Sequence, residues 1–327
     1  MIDELVLKQL NKLLGAENVL TDEPMSKHCT FRIGGNADYF VTPCNVSQVK
    51  SVVDFARDNG IAYFVTGNGS NLLVSDDGYR GIIISIGKNM SDVSVNGNTI
   101  TAMAGATLAK VASVAAKHSL KGFEFASGIP GTVGGAVYMN AGAYGGEMKD
   151  VVKSTTYLDK DGSVRTISND EHCFGYRRSI FLGGGIILST ELELAEGNID
   201  EINALMADFN DRRRTKQPLD YPSAGSTFKR PEGHFAGKLI EDITIEPVTI
   251  KAGAGGSVSD PELSEPKQQV VIVVKSKGKS LSMLDKILFK ANAIDHTVGG
   301  EGLRCDQGLK ITNIMVEIEG DIETELE

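Results

Sequence analysis

Two amphipathic patterns of helical period lie near the start of the chain. Leucines recur at roughly helical spacing over positions 5–14, and Gly15 ends the pattern, so we expect a short helix there. A second helix is predicted to begin at Asn45, whose side chain can cap it, and to stop at Asn59. Both helices have one apolar face, which is typical of helices packed on a sheet.

Several further segments have the pattern of strands. The apolar runs 61–66 and 81–86 predict two buried strands and a β-α-β-β order at the start of the chain. Hairpins are predicted at Asn96 and Asp161, each of which precedes a glycine between alternating segments. Residues 185–195 alternate as expected for a half-buried strand.

Two more helices are predicted before the amino-acid composition of the chain changes. One ends near His118, and a long connecting helix runs from Asn198 to Pro218 and ends in basic residues that suit its C-terminal dipole. Residues 251–269, rich in Gly, Ser, Pro and Glu, predict a loop. The last predicted elements are a strand, a helix and a closing strand, at residues 270–278, 282–294 and 308–320.

Composition excludes several classes of protein. The 327 residues predict two or three domains. A net charge of -10 argues against a nucleic-acid partner, which would need a basic face. The acidic start and the lack of an apolar run of 18 residues predict no signal peptide and no membrane insertion, so we expect a cytoplasmic protein, which we take to be a monomer. No metal site is expected, because no two cysteines form a C-x-x-C pair; they are Cys29, Cys44, Cys173 and Cys305.

A short polar loop is the first segment with candidate chemistry. Directly after the strand 61–66, glycines alternate with small polar residues, so that consecutive N–H groups can point at one spot and hold a pyrophosphate. A tight turn without a ligand is the alternative. The residues concerned are Gly67, Asn68, Gly69, Ser70 and Asn71.

The second segment with candidate chemistry is the stretch "GFEFASGIPGTVGGAVYMNAGAYGGE", residues 122–147. It is rich in glycine, and no charged residue lies between Glu124 and Glu147. Backbone with such small side chains can pass close to a bulky flat ligand, and the composition fits this role better than that of a solvent-exposed loop. No G-x-G-x-x-G opens a helix after a first strand, so a nucleotide cofactor would be bound in a fold other than the Rossmann fold.

Two further motifs contain polar groups suited to catalysis. "YRRSIF" begins at Tyr176, and "SAGSTF" contains Ser226. The serine could be a nucleophile, a proton donor or a turn residue. "SAGSTF" lacks the second glycine of the G-x-S-x-G nucleophile turn, and the nearby His234 is not at a diagnostic spacing. A hydrolase is therefore the weaker hypothesis.

Five motifs together resemble one family. "CTFRIGGNADYF", "GNGSNLL", the glycine-rich stretch, "YRRSIF" and "PSAGSTFKRPEGHFAGKLIED" occur in the order and at the spacing of UDP-N-acetylenolpyruvoylglucosamine reductases of the second type. The resemblance implies an α+β architecture: a two-subdomain FAD-binding fold of the vanillyl-alcohol-oxidase (PCMH) type, followed by a small α+β substrate domain. The implied domains are residues 1–90, 91–197 and 198–327.

The resemblance also implies the reaction and its participants. FAD would be the cofactor, NADPH the co-substrate, and a nucleotide sugar the substrate, whose enolpyruvyl group is reduced in peptidoglycan synthesis. Arg177 would bind the substrate carboxylate, and Ser226 would protonate C2. The substrate contacts implied are Tyr176, Arg214, Lys216 and Lys229. The FAD contacts implied are Gly67, Asn68, Gly69, Ser70, Asn71, Gly128, Ile129, Pro130, Gly131, Gly134, Gly135, Ala136, Asn140 and Gly142.

The family's third catalytic group is a glutamate of the closing strand. Aligned with that strand, this chain has Ile314 at the glutamate position, and the nearest acids are Glu317 and Glu319. Either a bulge brings Glu317 into place, or the third group is missing. In the second case the chain would be an FAD-binding homologue with little or no reductase activity.

Overall fold

The protein was studied as a computed structural model that contains two compact units, Met1–Thr227 and Phe228–Glu327. Across the residues that it describes, none of the helices combines the length and apolar character that membrane crossing requires. The described residues are 3–217, 219–226, 228–229, 231–234 and 236, with the backbone alone at 270–274 and 314–318.

The first part of the larger unit is a four-stranded sheet with two helices. The strand order is β1-β2-β4-β3; β1 is antiparallel to β2, and the other two pairs are parallel. A right-handed helical connection between parallel strands is the usual solution for such pairs. The elements are α1 (Glu4–Leu14), β1 (Val19–Pro24), β2 (Asn36–Val41), α2 (Val46–Asp58), β3 (Tyr63–Thr66) and β4 (Tyr79–Ser85).

Local capping explains the bounds of both helices. The Asp3 carboxylate accepts hydrogen bonds from the first turn of α1, and Gly15 ends that helix with φ at 86°. The Asn45 side chain accepts from the N–H of Gln48 at the start of α2. These two predicted helices are confirmed.

The prediction for the strands of this sheet needs correction at both edges. Residues 61–66 were expected to be buried, but Tyr63 and Phe64 of β3 are 38% and 42% exposed, because β3 is an edge strand. The opposite edge strand, β1, is not predicted by the pattern, since its middle is "TDE" and it ends at Pro24.

A second, antiparallel sheet follows, in the order β11-β10-β12-β6-β5. Both predicted hairpins are present: Asn96 pairs with Thr99 around Gly97, and Leu158 pairs with Val164 around the turn that contains Gly162. The elements of this part are β5 (Val93–Asn96), β6 (Thr99–Met103), α3 (Leu108–Lys117), β7 (Leu120–Lys121), α4 (Val133–Tyr138), β8 (Gly142–Ala143), β9 (Gly146–Glu147), β10 (Val152–Leu158), β11 (Val164–Ser168), β12 (Ile186–Glu193) and β13 (Ala195–Glu196).

One contiguous core joins the two sheets. It includes the inner faces of α1, α2 and α3 and the inner residues of β2, β4 and β12. Strand alternation separates it from a small second cluster: Tyr39 and Val41 of β2 lie in the main core, whereas Phe40 between them packs with Met25 and Ile83 on the other face. The two sheets therefore form one packed body.

The predicted long helix is α5 (Ile199–Lys216), which Asn198 caps. Ile202 is its one buried residue. In the second unit, β14 (Val270–Val274) and β15 (Ile314–Ile318) form a parallel pair, in agreement with the two predicted strands. The loop 251–269 and the helix 282–294 of the prediction lie outside the described residues.

Candidate active site

The loop that follows β3 is built for close backbone contact. Gly69 has φ at +61°, and a Cβ atom there would lie 2.2 Å from the carbonyl oxygen of His28. The N–H of Thr30 donates to the Gly69 carbonyl at 3.3 Å. Only glycine fits this position, so the loop is fixed against the segment before β2.

The same loop contacts the glycine-rich stretch, so that the two predicted cofactor segments lie side by side. Asn68 Nδ2 donates to the carbonyl of Pro130 at 3.2 Å. A Cβ atom at Gly67 would lie 2.2 Å from Thr132 Oγ1, which shows how closely the two backbones approach. The glycine-rich stretch is anchored at the start of α4, because the N–H of Val133 donates to the carbonyl of Ala106, shortly after β6.

The other predicted FAD residues are distributed along this stretch. Residues 128–131 precede α4, residues 134–136 lie within it, and Asn140 and Gly142 follow it. Two of these glycines have a packing reason of their own. A Cβ atom at Gly134 would lie 3.0 Å from the Ala104 side chain, and one at Gly142 would lie 2.7 Å from the carbonyl of Gly146.

A cavity of about 540 Å³ opens beside residues 127–130. The Ser127 hydroxyl is buried there, and in the described part of the chain it has no hydrogen-bond partner. A buried hydroxyl without a partner is costly, so a bound group that offers it a hydrogen bond would stabilise this site. The cavity is lined by Ala109, Ser127, Gly128, Ile129, Pro130, Ala207, Asn210, Arg213, Arg214 and Leu219.

Three consecutive arginines at the end of α5 differ in their contacts. Arg212 pairs with Asp208 at 2.7 Å, and Arg214 pairs with Asp211 at 3.3 Å. Arg213 between them is half-buried, packs against Gly128, and has no carboxylate within 4.0 Å among the residues that the structure describes. The uncompensated charge of the middle arginine therefore lies at the cavity wall.

The residues of this region fit FAD. The Ser127 hydroxyl, the Asn210 amide and the Arg213 guanidinium provide polar edges, and Ile129 with Pro130 provides apolar wall. The loop 67–71 adds small residues beside them. Apolar wall with a few convergent polar groups is what a flat cofactor with charged phosphates requires.

Ser226 lies on an exposed segment that is tied to this loop. Thr30 Oγ1 donates to the carbonyl of Ser223 at 2.6 Å, and the N–H of Ser223 donates to the Thr30 carbonyl at 3.1 Å. A Cβ atom at Gly225 would lie 3.8 Å from Asn71 Oδ1. The structure thus brings the Ser226 segment beside the predicted pyrophosphate loop.

Arg177 lies on a tight turn elsewhere in the unit. The N–H groups and carbonyls of Gly175 and Arg178 hydrogen-bond to each other at 3.0 and 3.1 Å. Arg177 lies between them with φ at +54°, a left-handed conformation that is rare for a long side chain. Its guanidinium carbon lies 5.5 Å from the centre of the Tyr176 ring. Arg177 and Ser226 are therefore held by different segments.

The remaining predicted residues are placed as follows. Arg214 and Lys216 lie in the last turn of α5, where Arg214 borders the cavity. Lys229 is an exposed residue of the second unit. In β15 Glu317 pairs with Val273, and the five residue pairs of this ladder run without a bulge from Ile314 onward.

Sequence reasoning does not single out three polar residues that border the cavity: Ser127, Asn210 and Arg213. Ser127 directly precedes the glycines that were singled out, so its position was a usable signal. The run "RRR" was also visible, but no local pattern says which of three adjacent charges points inward. That choice depends on the helical phase of α5 against residues 127–130.

Comparisons with known proteins identify the family. The family model described as "FAD binding domain" matches residues 37–168, and that described as "UDP-N-acetylenolpyruvoylglucosamine reductase, C-terminal domain" matches residues 217–263. A UDP-N-acetylenolpyruvoylglucosamine reductase of Clostridioides difficile is 46% identical over 87% of this chain and 91% of its own length. The chain belongs to the UDP-N-acetylenolpyruvoylglucosamine reductase family. The resemblance of the five motifs is thereby confirmed.

Other relatives of this reductase family agree. The protein of that name from Alkaliphilus oremlandii is 53% identical over 72% of this chain and 78% of its own. The crystal structure of UDP-N-acetylenolpyruvylglucosamine reductase from Thermus caldophilus matches with a TM-score of 0.60 and 32% identity, over 72% of this chain and 82% of that one. The predictions of an α+β FAD-binding fold and of an FAD-containing oxidoreductase are confirmed.

Proposed function

We propose that this reductase uses NADPH to reduce the enolpyruvyl group of UDP-N-acetylglucosamine enolpyruvate to UDP-N-acetylmuramate, in the cytoplasm, for peptidoglycan synthesis. The observation that carries the proposal is the placement of the Ser226 segment against the loop 67–71. Membership of the family supports the type of reaction. A proton donor beside the cofactor loop is what the reduction of a carbon–carbon double bond requires.

FAD would lie along the loop 67–71 and in the cavity beside residues 127–130. Bound there, it would supply the hydride-transfer chemistry that side chains lack. The loop's small residues would approach the pyrophosphate, and Arg213, which has no carboxylate partner among the described residues, would face the cofactor with its positive charge.

The protein's own groups would manage charge and protons. Arg177 would bind the substrate carboxylate with its planar fork and stabilise the negative charge that develops beside it when C3 receives the hydride. Ser226 would then donate its proton to C2, and solvent can reprotonate the exposed hydroxyl. Arg214 and Lys216 would interact with the substrate diphosphate.

The decisive experiment measures NADPH oxidation by the purified yellow protein, with and without UDP-N-acetylglucosamine enolpyruvate. We expect oxidation to depend on that substrate. In Ser226→Ala, flavin reduction by NADPH should persist while product formation falls by about 10²–10⁴-fold. The exposed Ser94 of β5 offers the matched control Ser94→Ala, which should behave as wild type. Unchanged product formation in Ser226→Ala would remove Ser226 as proton donor.

An FAD-binding homologue with an impaired substrate domain is the second candidate. It is favoured by β15, which has isoleucine at position 314 in a regular ladder that brings no acid to that position. Stopped-flow kinetics separate the two candidates. Flavin that NADPH reduces normally but that the enolpyruvyl substrate reoxidises very slowly in the wild-type protein would support the impaired homologue, and rapid reoxidation would support the reductase.

A further inference from the structure

The turn that presents Arg177 is held in an unfavourable backbone conformation. Arg177 has φ at +54°, and Asn140, which contacts the turn, has φ at +47°. Left-handed backbone at non-glycine residues costs free energy and persists only where the surroundings enforce it. Asn140 is hydrogen-bonded to the turn that holds Arg177, so two such residues close together indicate that this arrangement is maintained by a specific set of contacts.

The side chain of Asn140 is the centre of these contacts. It is 1% exposed. Its Nδ2 donates to the Gly175 carbonyl at 3.0 Å and to Glu147 Oε2 at 2.9 Å, and its Oδ1 accepts from the N–H of Lys149 at 2.9 Å. Both N–H donors of the amide are used within the protein. The predicted contact of Asn140 with FAD stays a prediction, and it would not use these two donors.

A second contact fixes the other end of the turn. Ser179, which is 2% exposed, donates its hydroxyl hydrogen to the carbonyl of Tyr138 at 2.5 Å. The turn is thus attached on both sides to the segment that contains α4 and β9. Motion of Arg177 relative to that segment would break buried hydrogen bonds.

The charges around Arg177 are arranged to suit this role. The Glu147 carboxylate pairs with Lys149 at 2.9 Å and accepts from Asn140. Burial raises the pKa of Glu147, but the hydrogen bonds from Lys149 and Asn140 and the positive charges of Lys149 and Arg177 outweigh it, so that the pKa lies below its usual value. Glu147 therefore stays ionised near the guanidinium. Among the described residues the Glu147 carboxylate pairs with Lys149 and not with Arg177, so the guanidinium stays available for the substrate carboxylate.

We propose that Asn140 and Glu147 are positioning residues that hold the Arg177 turn in the orientation that binds the substrate carboxylate. The inference rests on the role proposed above for Arg177. Asn140 fixes the Gly175 carbonyl two residues before the arginine, and Glu147 fixes the Asn140 amide by accepting its second N–H. Neither residue touches the substrate in this role.

The test is a double-mutant cycle on the FAD-loaded enzyme. Asn140→Gly removes the amide and keeps a residue that tolerates left-handed backbone. We expect KM for the enolpyruvyl substrate to rise by about tenfold or more, as misplaced binding groups do, while flavin reduction by NADPH stays within about twofold of wild type. In an Arg177→Ala background, Asn140→Gly should cause no further loss.

A matched control is Asn169→Ala. Asn169 also donates its amide to backbone carbonyls, those of Lys149 and Val152, but among the described residues none of its hydrogen bonds reaches the Arg177 turn. We expect it to lower the melting temperature without the rise in KM. If Asn140→Gly does not fold, Glu147→Gln replaces it in the double-mutant cycle. We expect Glu147→Gln to raise KM in the same way and to cause no further loss in the Arg177→Ala background.

The outcomes separate this inference from the function on which it rests. Wild-type enzyme without substrate-dependent NADPH oxidation contradicts the proposed function itself. If wild type and Arg177→Ala behave as expected but the loss in Asn140→Gly or Glu147→Gln adds fully to that of Arg177→Ala, the positioning role is wrong and the residues are merely structural.

Discussion

The two proposed catalytic groups are held in opposite ways. The Arg177 turn is attached to its neighbours by buried hydrogen bonds from Asn140 and Ser179. The Ser226 segment is exposed and tied down by hydrogen bonds between Thr30 and Ser223. A group that must bind one carboxylate in one orientation gains from rigidity. A group that gives up a proton at each turnover gains from contact with water, which can restore it.

The substitution Arg177→Ala tests the rigidly held group of this comparison. Loss of a preorganised charge facing developing negative charge should lower kcat/KM for the enolpyruvyl substrate by about 10²–10³-fold. Arg177→Lys should recover only a small part of it, because lysine lacks the planar fork. Steady-state kinetics measure both values. Full activity in Arg177→Lys would show that a point charge suffices and that the rigid turn serves another purpose.

Ser179→Ala tests the buried anchor directly. It leaves the carbonyl of Tyr138 without its donor in a partly buried place, so we expect a loss of about 1 kcal/mol in the free energy of unfolding. Urea denaturation followed by circular dichroism measures it. Ser91, which donates to the carbonyl of Lys88 in an exposed hydrogen bond, provides the control Ser91→Ala. Equal losses in the two variants would mean that burial adds nothing to the anchor.

Low pH should destabilise the region around the Arg177 turn through His172, which lies five residues before the arginine. The ring is fully buried; Nδ1 contacts the Ser168 carbonyl at 2.7 Å, and Nε2 contacts the Thr155 hydroxyl at 2.8 Å. Burial lowers the pKa of His172, although hydrogen bonds to backbone carbonyls oppose it. Below about pH 6.5 the unfolded chain therefore binds the proton more readily than the folded one, and stability falls as the pH decreases.

Melting temperatures at pH 7.5 and 5.5 check this expectation. Wild type should lose stability over this range, and His172→Gln should lose less. The exposed His118 offers the control His118→Gln, which should follow wild type. Glu147, whose pKa is lowered from 4.5, loses its stabilising contribution only at lower pH, so it does not interfere. An unchanged pH dependence in His172→Gln would exclude the histidine as its source.

Thr30→Val should have the smallest effect. It removes the hydroxyl bond to the Ser223 carbonyl at an exposed site, whereas the backbone bond between the two residues remains. We expect a change within about 0.5 kcal/mol in stability. Product formation should remain within about threefold of wild type, a shift of about 0.65 kcal/mol. A loss as large as that of Arg177→Ala would show that the Ser226 segment is positioned as strictly as the Arg177 turn.

Local signals predicted most of the secondary structure. Side-chain caps such as Asn45 and Asn198, and glycines after Asn96 and Asp161, specify helix starts and turns within a few residues of sequence. The edge position of β3 could not be predicted in this way. An apolar run looks the same in a central strand as in an edge strand, and the difference depends on which strand lies beside it.

The candidate site was predicted in its segments but not in its contacts. The motif resemblance placed Arg177 and Ser226, yet the bond from Asn140 to Gly175 spans 35 residues and that from Ser179 to Tyr138 spans 41. Pairs so far apart leave no periodic trace in one sequence. The position of Arg213 at the cavity wall likewise follows from how α5 lies against residues 127–130, which only the folded chain specifies.

The left-handed backbone at Arg177 bears on how this protein could be engineered. Selection for heat resistance alone would favour glycine at that position, because glycine accepts such backbone without strain. Stabilising the enzyme by automated sequence optimisation would therefore propose removing the residue on which its substrate binding is expected to depend. Position 177 should be kept fixed in any such redesign.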